Sequence, residues 1–193
     1  MHTLWTGSAG DKYAFYKNGA AAAGDYPAPA TFSLHDSYTI GRVGCANDDI
    51  GCFSQQPVTG TIDQVEFYDY RMGAGDVGSK YAAENSGAGD SGGGSHVAAY
   101  SFNGNADDGA GSRHGVVYGA TLAVDRFGKA NSAYYFGEQS RGDMITVPTP
   151  FTDPNSDFTI SLWIAPAVVG DGTWHGFVGY SPESGDWQDR SPG

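Results

Sequence analysis

The sequence is poor in basic residues and in long apolar runs. Lysine and arginine number 10 against 22 aspartate and glutamate residues, which gives a formal net charge of −12. A surface of this sign opposes binding to nucleic acid or to anionic lipid, because both need a basic patch. No stretch approaches the roughly 18 consecutive apolar residues of a transmembrane helix, so no membrane span is predicted.

The first fifteen residues lack the basic segment and the apolar core of a secretory signal peptide. Three origins for this start remain open: a processing site, a position inside a larger protein, and an engineered Met1.

Cysteine is scarce. Cys45 and Cys52 are separated by six residues, with no histidine or third cysteine nearby, so a zinc site is disfavoured. A bridge across so short a loop would stabilise the fold by about 2–3 kcal/mol. We therefore predict a Cys45–Cys52 disulfide and an extracellular or cell-surface location, since disulfides persist in oxidising compartments. Two free thiols in a cytosolic protein are the alternative.

Glycine and aromatic residues are abundant, with 30 glycines, 12 tyrosines and 10 phenylalanines. This composition is typical of many short strands joined by tight turns, and it predicts an all-β fold. A hairpin turn is predicted at Asn18-Gly19 and a turn of helix at Asp76–Glu84. The main predicted strands are Lys12–Lys17, Ser37–Val43, Thr61–Tyr70, Val97–Phe102, Val116–Leu122, Ala133–Phe136, Met144–Val147 and Phe158–Ala165.

Three segments resemble one known family. GTIDQVEFYDYRMGAGDVGSKY, residues 60–81, resembles the closing signature of laminin-G-like, concanavalin A-like jelly rolls. AAYSFNGNADDGAGSRHGVVYGATLAVDRFGKANSAYYFG, residues 98–137, resembles the opening of the same family, and DFTISLWIAP, residues 157–166, resembles its following core strand. The resemblance implies a concanavalin A-like β-sandwich.

The order of these segments departs from the family, because the closing signature comes first. We predict one circularly permuted domain, in which residues 1–85 are the C-terminal half, 86–95 a Gly/Ser linker and 96–193 the N-terminal half. Thr61–Tyr70 should then share a sheet with Val97–Phe102. A slice across a tandem array and an exchange of halves between copies of the chain are the alternatives.

The family resemblance also implies a structural calcium ion, shared by the opening turn and the closing strand. Calcium prefers six to eight hard oxygen ligands, which acidic, Gly-rich turns supply. The predicted ligands are Asp63, Asn103, Asn105, Asp107 and Asp108. The alternative is that residues 103–108 form an ordinary turn without a metal ion, because Asn, Asp and Gly favour turns for local reasons. Asp48 and Asp49 form a second, weaker acidic pair inside the cysteine loop.

Two tryptophans lie in polar, Gly-rich surroundings where a flat ring is hard to bury. Trp174 and Trp187 are candidates to stack on a sugar. His175, Asp186 and Arg190 would supply polar contacts. Trp163, by contrast, alternates with Leu162 and Ile164 and is predicted to lie in the core.

The sequence contains few patterns that indicate a catalytic site. Retaining glycan cleavage needs two carboxyl groups about 5–5.5 Å apart. Strict alternation along a strand would put positions 63 and 66 on opposite faces. No Glu-x-Asp-x-x-Glu pattern occurs. We therefore predict a non-enzymatic recognition or adhesion module that binds a glycan or an extracellular protein. A structural or assembly domain of a filament or coat, and a glycan-cleaving enzyme, are the alternatives.

Overall fold

The computed structural model describes residues 1–8, 12–22, 26–27, 37–41, 56–87, 96–137, 143–153, 156–168 and 175–181. Its strands are β1 (His2–Gly7), β2 (Lys12–Lys17), β3 (Ala20–Ala21), β4 (Tyr26–Pro27), β5 (Ser37–Ile40), β6 (Gln56–Pro57), β7 (Gly60–Tyr68), β8 (Ala98–Tyr100), β9 (Val116–Tyr118), β10 (Thr121–Ala123), β11 (Ala133–Phe136), β12 (Met144–Pro148), β13 (Phe158–Pro166), β14 (His175–Gly176) and β15 (Val178–Ser181). One helix, α1 (Ala74–Asn85), follows β7.

Among the described residues, the larger sheet has nine strands and the smaller has four. The larger runs in the order β10-β11-β7-β13-β1-β2-β3, with β8 paired to β7 and β4 paired to β2. The smaller runs β15-β5-β12-β9, and all its pairs are antiparallel. A short parallel pair joins β14 and β6. The protein is therefore mostly β, with two antiparallel sheets arranged in a way that is consistent with a β-sandwich.

The main core is rich in aromatic side chains. Phe67 of β7 makes edge-to-face contacts with Tyr38 of β5, with Tyr100 of β8 and with Phe151, at ring-centroid distances of 6.0–6.2 Å. Ile40 of β5 and Ile145 of β12 are also fully buried in this cluster. Side chains from both sheets thus fill one core, and edge-to-face geometry adds to the stabilisation that comes from burial.

Strands from the two halves of the sequence are hydrogen-bonded to each other. β7, from residues 1–85, lies between β11 and β13, both from residues 96–193. It also pairs with β8, with Val65 opposite Tyr100 and Phe67 opposite Ala98. The predicted sheet contact between Thr61–Tyr70 and Val97–Phe102 is confirmed.

Local turn chemistry explains where several strands end. Asn18 and Gly19 have φ angles of 52° and 78°, as the predicted hairpin turn between β2 and β3 requires. The strand predicted over Val116–Leu122 is instead two strands, because the chain turns at Gly119, whose φ is 67°. Its parts, β9 and β10, join different sheets.

Helix α1 packs against the larger sheet through one face. The Asp76 carboxylate accepts a hydrogen bond from the Gly73 N–H at 3.3 Å, which stabilises the start of the helix. Val77, Lys80 and Glu84 are its buried residues, and their spacing of three and four places them on one side. Within the described residues, no helix is long and apolar enough to cross a membrane.

Candidate functional site

Strand β7 contains a bulge that decides which of its side chains share a face. In its register with β13, Trp163 lies opposite Asp63 and Leu162 lies opposite Val65, so Gln64 is an extra residue. Gln64 has a φ of 52°, a left-handed conformation that some bulges require. Ile62 and Val65, on either side of Asp63 and Gln64, both enter the hydrophobic core.

Because of the bulge, Asp63 and Glu66 lie on the same face of β7, and the prediction that they face opposite ways is wrong. Strict alternation fails where one residue is added to a strand. The Gln64 side chain connects the two positions: its amide donates to Glu66 Oε1 at 2.7 Å. Its carbonyl accepts from Arg126, which also binds Asp63.

These residues belong to a largely buried group between the larger sheet and α1, which we call the helix–sheet cluster. It consists of His2, Asp63, Gln64, Glu66, Tyr68, Lys80, Glu84, His96, Arg126 and Trp163.

Lys80 is the central cation of the helix–sheet cluster. Its side chain is fully buried, and its ammonium group donates to Glu66, to Glu84 Oε1 at 2.6 Å and to the Tyr68 hydroxyl at 2.7 Å. The Gln64 amide also donates to Glu84 Oε1, at 3.1 Å. One ammonium group therefore neutralises carboxylates from both the strand and the helix, as buried charges require.

The two carboxylates bound by Lys80 have pKa values shifted in opposite directions. Burial acts to raise the pKa of Glu66, but a hydrogen bond from His96 and the charge of Lys80 outweigh it and hold the pKa at about 2. Burial and the nearby Glu66 charge raise the pKa of Glu84. In some active sites, two neighbouring carboxyl groups with pKa values shifted in opposite directions act as the acid and the base. Here the side chains of Glu66 and Glu84 are only 5% and 1% exposed, and the pair joins helix to sheet.

Arg126 extends the cluster toward the turn after β10. It forms an ion pair with Asp63, and its guanidinium lies 4.5 Å from the ring centroids of both Phe127 and Trp163. Trp163 in turn donates from Nε1 to Glu84 Oε2 at 2.8 Å. Burial raises the pKa of Asp63, although the Arg126 charge acts to lower it. The predicted burial of Trp163 is confirmed, at 6% exposure.

Two histidines complete the helix–sheet cluster. His2 is fully buried, with Nε2 at 2.9 Å from Ser161 Oγ and 3.6 Å from Glu84 Oε2. Burial, followed by the charge of Lys80, lowers the pKa of His2 to about 4. His96 Nε2 lies 3.0 Å from the Tyr68 hydroxyl and 3.3 Å from Glu66 Oε1.

The acidic turn that follows β8 has local partners. The Asn105 amide donates to Asp107 at 2.6 Å, and Asn105 Oδ1 accepts from the Asp107 N–H at 3.1 Å. Asn103 Oδ1 accepts from the Lys129 ammonium at 2.5 Å. Asn103, Asn105 and Asp107 are exposed, whereas Asp108 is buried.

Asp108 organises this turn through backbone amides. Its carboxylate accepts hydrogen bonds from the N–H groups of Ala99, Ala110 and Arg113 at 2.9–3.1 Å. Burial acts to raise the pKa of Asp108, but these bonds outweigh it and lower the pKa. The carboxylate thereby ties the turn to β8.

The predicted calcium ligands do not converge in this arrangement. Asp63 is paired with Arg126, while Asp108 accepts backbone N–H groups. In the part of the chain that the structure describes, no group of three or more His, Cys, Asp or Glu residues is placed to hold a metal ion. The residues as placed therefore do not fit a calcium ion, and calcium binding stays a prediction that chelation can test.

Asp108→Ala is expected to lower the free energy of unfolding by about 1–3 kcal/mol, because it leaves three partly buried backbone N–H groups without this acceptor. The matched change Asp107→Ala, at an exposed neighbour, should cost about 0.5 kcal/mol or less. Denaturant unfolding measures both. Equal losses would contradict the structural role of Asp108, and dependence of the wild-type melting temperature on a chelator would support calcium.

Several predicted site residues lie outside the described residues. These are Cys45, Cys52, Asp48, Asp49, Trp174, Asp186, Trp187 and Arg190, together with most of the 86–95 linker. For His175 only the backbone, in β14, is described.

The chain folds mostly into β-strands, and its two antiparallel sheets are consistent with a β-sandwich. No family model, no curated protein and no solved structure matches the chain.

Sequence reasoning missed most of the helix–sheet cluster. Lys80 and Glu84 do carry a signal, because a Lys and a Glu four residues apart on a helix can pair. The sequence around Glu66 gives no sign that its partner is a lysine on the following helix. His2 and His96 lie far from β7 in the sequence, and no local pattern places them beside it.

Proposed function

We propose that this protein is a non-catalytic extracellular recognition or adhesion module of the laminin-G-like, concanavalin A-like jelly-roll type, with its two halves in permuted order. The pairing of β7 with β8 supports this, because it joins the segments that resemble the end and the beginning of that family. The core formed by strands of both sheets also supports it.

The non-catalytic assignment rests on one observation, the burial and ion pairing of three carboxylates. Asp63 and Glu66 lie on one face of β7 and Glu84 lies on α1, yet each is buried and bound to Arg126 or Lys80. A glycan-cleaving pair must reach a sugar ring with one carboxyl able to donate a proton and the other ionised. Buried carboxylates in such ion pairs stabilise the fold. We therefore propose that ligand recognition uses other residues, on the protein surface.

The proposed ligand is a glycan or an extracellular protein, contacted by Trp174, His175, Trp187 and Arg190. Aromatic rings stack on the apolar faces of sugars and dominate many protein interfaces. The predicted disulfide between Cys45 and Cys52 belongs to the same proposal, since it would suit an extracellular setting.

A glycan array combined with a pull-down of extracellular proteins tests this function. We expect saturable binding that is weakened at least tenfold by Trp174→Ala or Trp187→Ala, about the loss of 1.4 kcal/mol. Phe127→Ala is a matched control, because Phe127 is an aromatic side chain that is 54% exposed and is not among the predicted ligand-binding residues. Turnover of a glycan substrate that Glu66→Gln abolishes would instead establish an enzyme.

A further inference from the structure

His2 lies between helix α1 and the larger sheet, in surroundings that suit only its neutral form. The side chain is fully buried. Its ring contacts Tyr81 of the helix and Trp163 of β13, at ring-centroid distances of 5.8 and 5.1 Å. Nε2 lies 2.9 Å from Ser161 Oγ, whereas Nδ1 has no hydrogen-bond partner among the described residues. A neutral imidazole fits this place, because only one of its nitrogens carries a hydrogen, which Ser161 can accept.

A protonated His2 does not fit the same place. Both nitrogens of an imidazolium carry a hydrogen, so Nδ1 would become a buried donor without an acceptor among the described residues. The positive charges of Lys80, Arg126 and the Met1 amino group already act on this ring. An unsatisfied buried donor and an additional buried positive charge both oppose protonation while the helix is in place.

Two carboxylates face His2, and they offset only part of this cost. Glu84 of α1 lies 3.6 Å from Nε2, and Glu66 of β7 acts on the ring through its charge. Both carboxylates are already bound to the Lys80 ammonium, and Glu84 also accepts from Trp163. Burial raises the pKa of Glu84, so this group takes up a proton more readily than an exposed glutamate as the pH falls. The pKa of His2 is accordingly lowered by burial to about 4.

Helix α1 is the element that can move to let water reach His2. β1, which contains His2, is hydrogen-bonded to β13 on one side and to β2 on the other. The helix is held by side chains instead, and its buried residues are Val77, Lys80 and Glu84. Elements with few buried apolar contacts open at the lowest cost. Val77 is the one α1 residue in a second core cluster, whose other buried members are Leu4, Tyr16, Tyr68 and Met72.

We propose that protonation of His2 at acid pH releases α1 from the larger sheet while the strands stay paired. The release lets the imidazolium reach water and exposes the second core cluster, to which α1 contributes Val77. The closed form favours the neutral ring, so its stability is complete above pH 6.5, the ordinary pKa of histidine, and is lost as the pH falls through about 4. The inference goes beyond the proposed recognition function, which it does not require.

Hydrogen exchange on the full chain at a series of pH values, corrected for the intrinsic pH dependence of exchange, tests this inference. Protection factors of α1 amides should fall on the order of a hundredfold between pH 6.5 and 4. Amides of β11 should stay far better protected than those of α1 at pH 4, because the strands remain paired. His2→Gln should show little change in α1 over this range. His114→Gln is the matched control, since the His114 side chain is 56% exposed, and its α1 protection should fall as far as in the wild type.

Binding of a hydrophobic dye to the wild-type protein gives a second readout if His2→Gln fails to fold. Dye fluorescence should rise as the pH falls toward 4, because the second core cluster becomes exposed. Loss of protection in β11 together with α1, constant protection of α1 down to pH 4, or an equal loss in wild type and His2→Gln would each overturn the proposal. Ligand binding at neutral pH would still leave the recognition function standing.

Discussion

Replacing Lys80 with methionine is expected to lower the free energy of unfolding by about 3–5 kcal/mol, because it leaves Glu66 and Glu84 buried without their cation. Methionine keeps much of the length and volume of the lysine side chain, so the lost free energy of unfolding measures mainly the effect of removing the charge. Lys129→Met is the control, since the ammonium group of this exposed lysine bonds to the exposed Asn103 side chain. This change should cost about 0.5 kcal/mol or less. Urea or guanidinium unfolding measures both variants.

A second substitution separates charge from packing. Adding Glu66→Gln to Lys80→Met removes one of the stranded carboxylates and should recover part of the lost stability. If the two changes instead destabilise additively, Lys80 contributes packing rather than neutralisation, and our account of the helix–sheet cluster is wrong.

Acidification from pH 6.5 to 4 is expected to cost about 3 kcal/mol of stability through His2 alone, from a shift of its pKa from 6.5 to about 4. The folded state favours the neutral imidazole, so this stability is complete above pH 6.5 and is lost as pH falls through 4. Burial is the largest cause of the lowered pKa of His2. The charged groups that face His2 are Lys80, Glu66, Glu84, Arg126 and the Met1 amino group.

Denaturant unfolding at a series of pH values measures this loss, and His2→Gln is the matched variant. Glutamine keeps a polar group near Ser161 but does not titrate, so the variant should show a much flatter profile between pH 6.5 and 5. An unchanged profile would mean that other groups titrate there.

The two carboxylates bound by Lys80 affect the pH dependence of stability with opposite signs. The pKa of Glu66 is lowered, so its stabilising effect is present above its ordinary pKa and is lost as pH falls toward 2. The pKa of Glu84 is raised, so its contribution is present at low pH and is lost as pH rises through its folded value. Glu84 therefore opposes part of the acid sensitivity that Glu66 creates.

Much of the fold follows from local sequence features. Phe158–Ala165 was predicted as a strand and forms all but the last residue of β13. The Asn18-Gly19 turn has the positive φ angles that its residues favour. Helix α1 begins two residues before the predicted Asp76–Glu84 and ends one residue after it, because Gly73 and Asp76 shape its first turn.

The bulge at Gln64 could not be predicted in the same way. Glycine commonly marks a left-handed bulge position, and glutamine gives no such signal. The added residue keeps Ile62 and Val65 in the core while turning Asp63 and Glu66 toward α1. Tertiary packing, including hydrogen bonds from the Gln64 amide to Glu66 and Glu84, holds this conformation.

Native-state hydrogen exchange on wild type and Lys80→Met tests most directly the central claim, that strands from both halves of the sequence fold as one unit around the helix–sheet cluster. Slowly exchanging amides of β1, from the first half, and of β11, from the second, should share one opening free energy. Both should lose the same amount, about 3–5 kcal/mol, in the variant. A loss confined to β7 and α1, with β11 unchanged, would contradict the account.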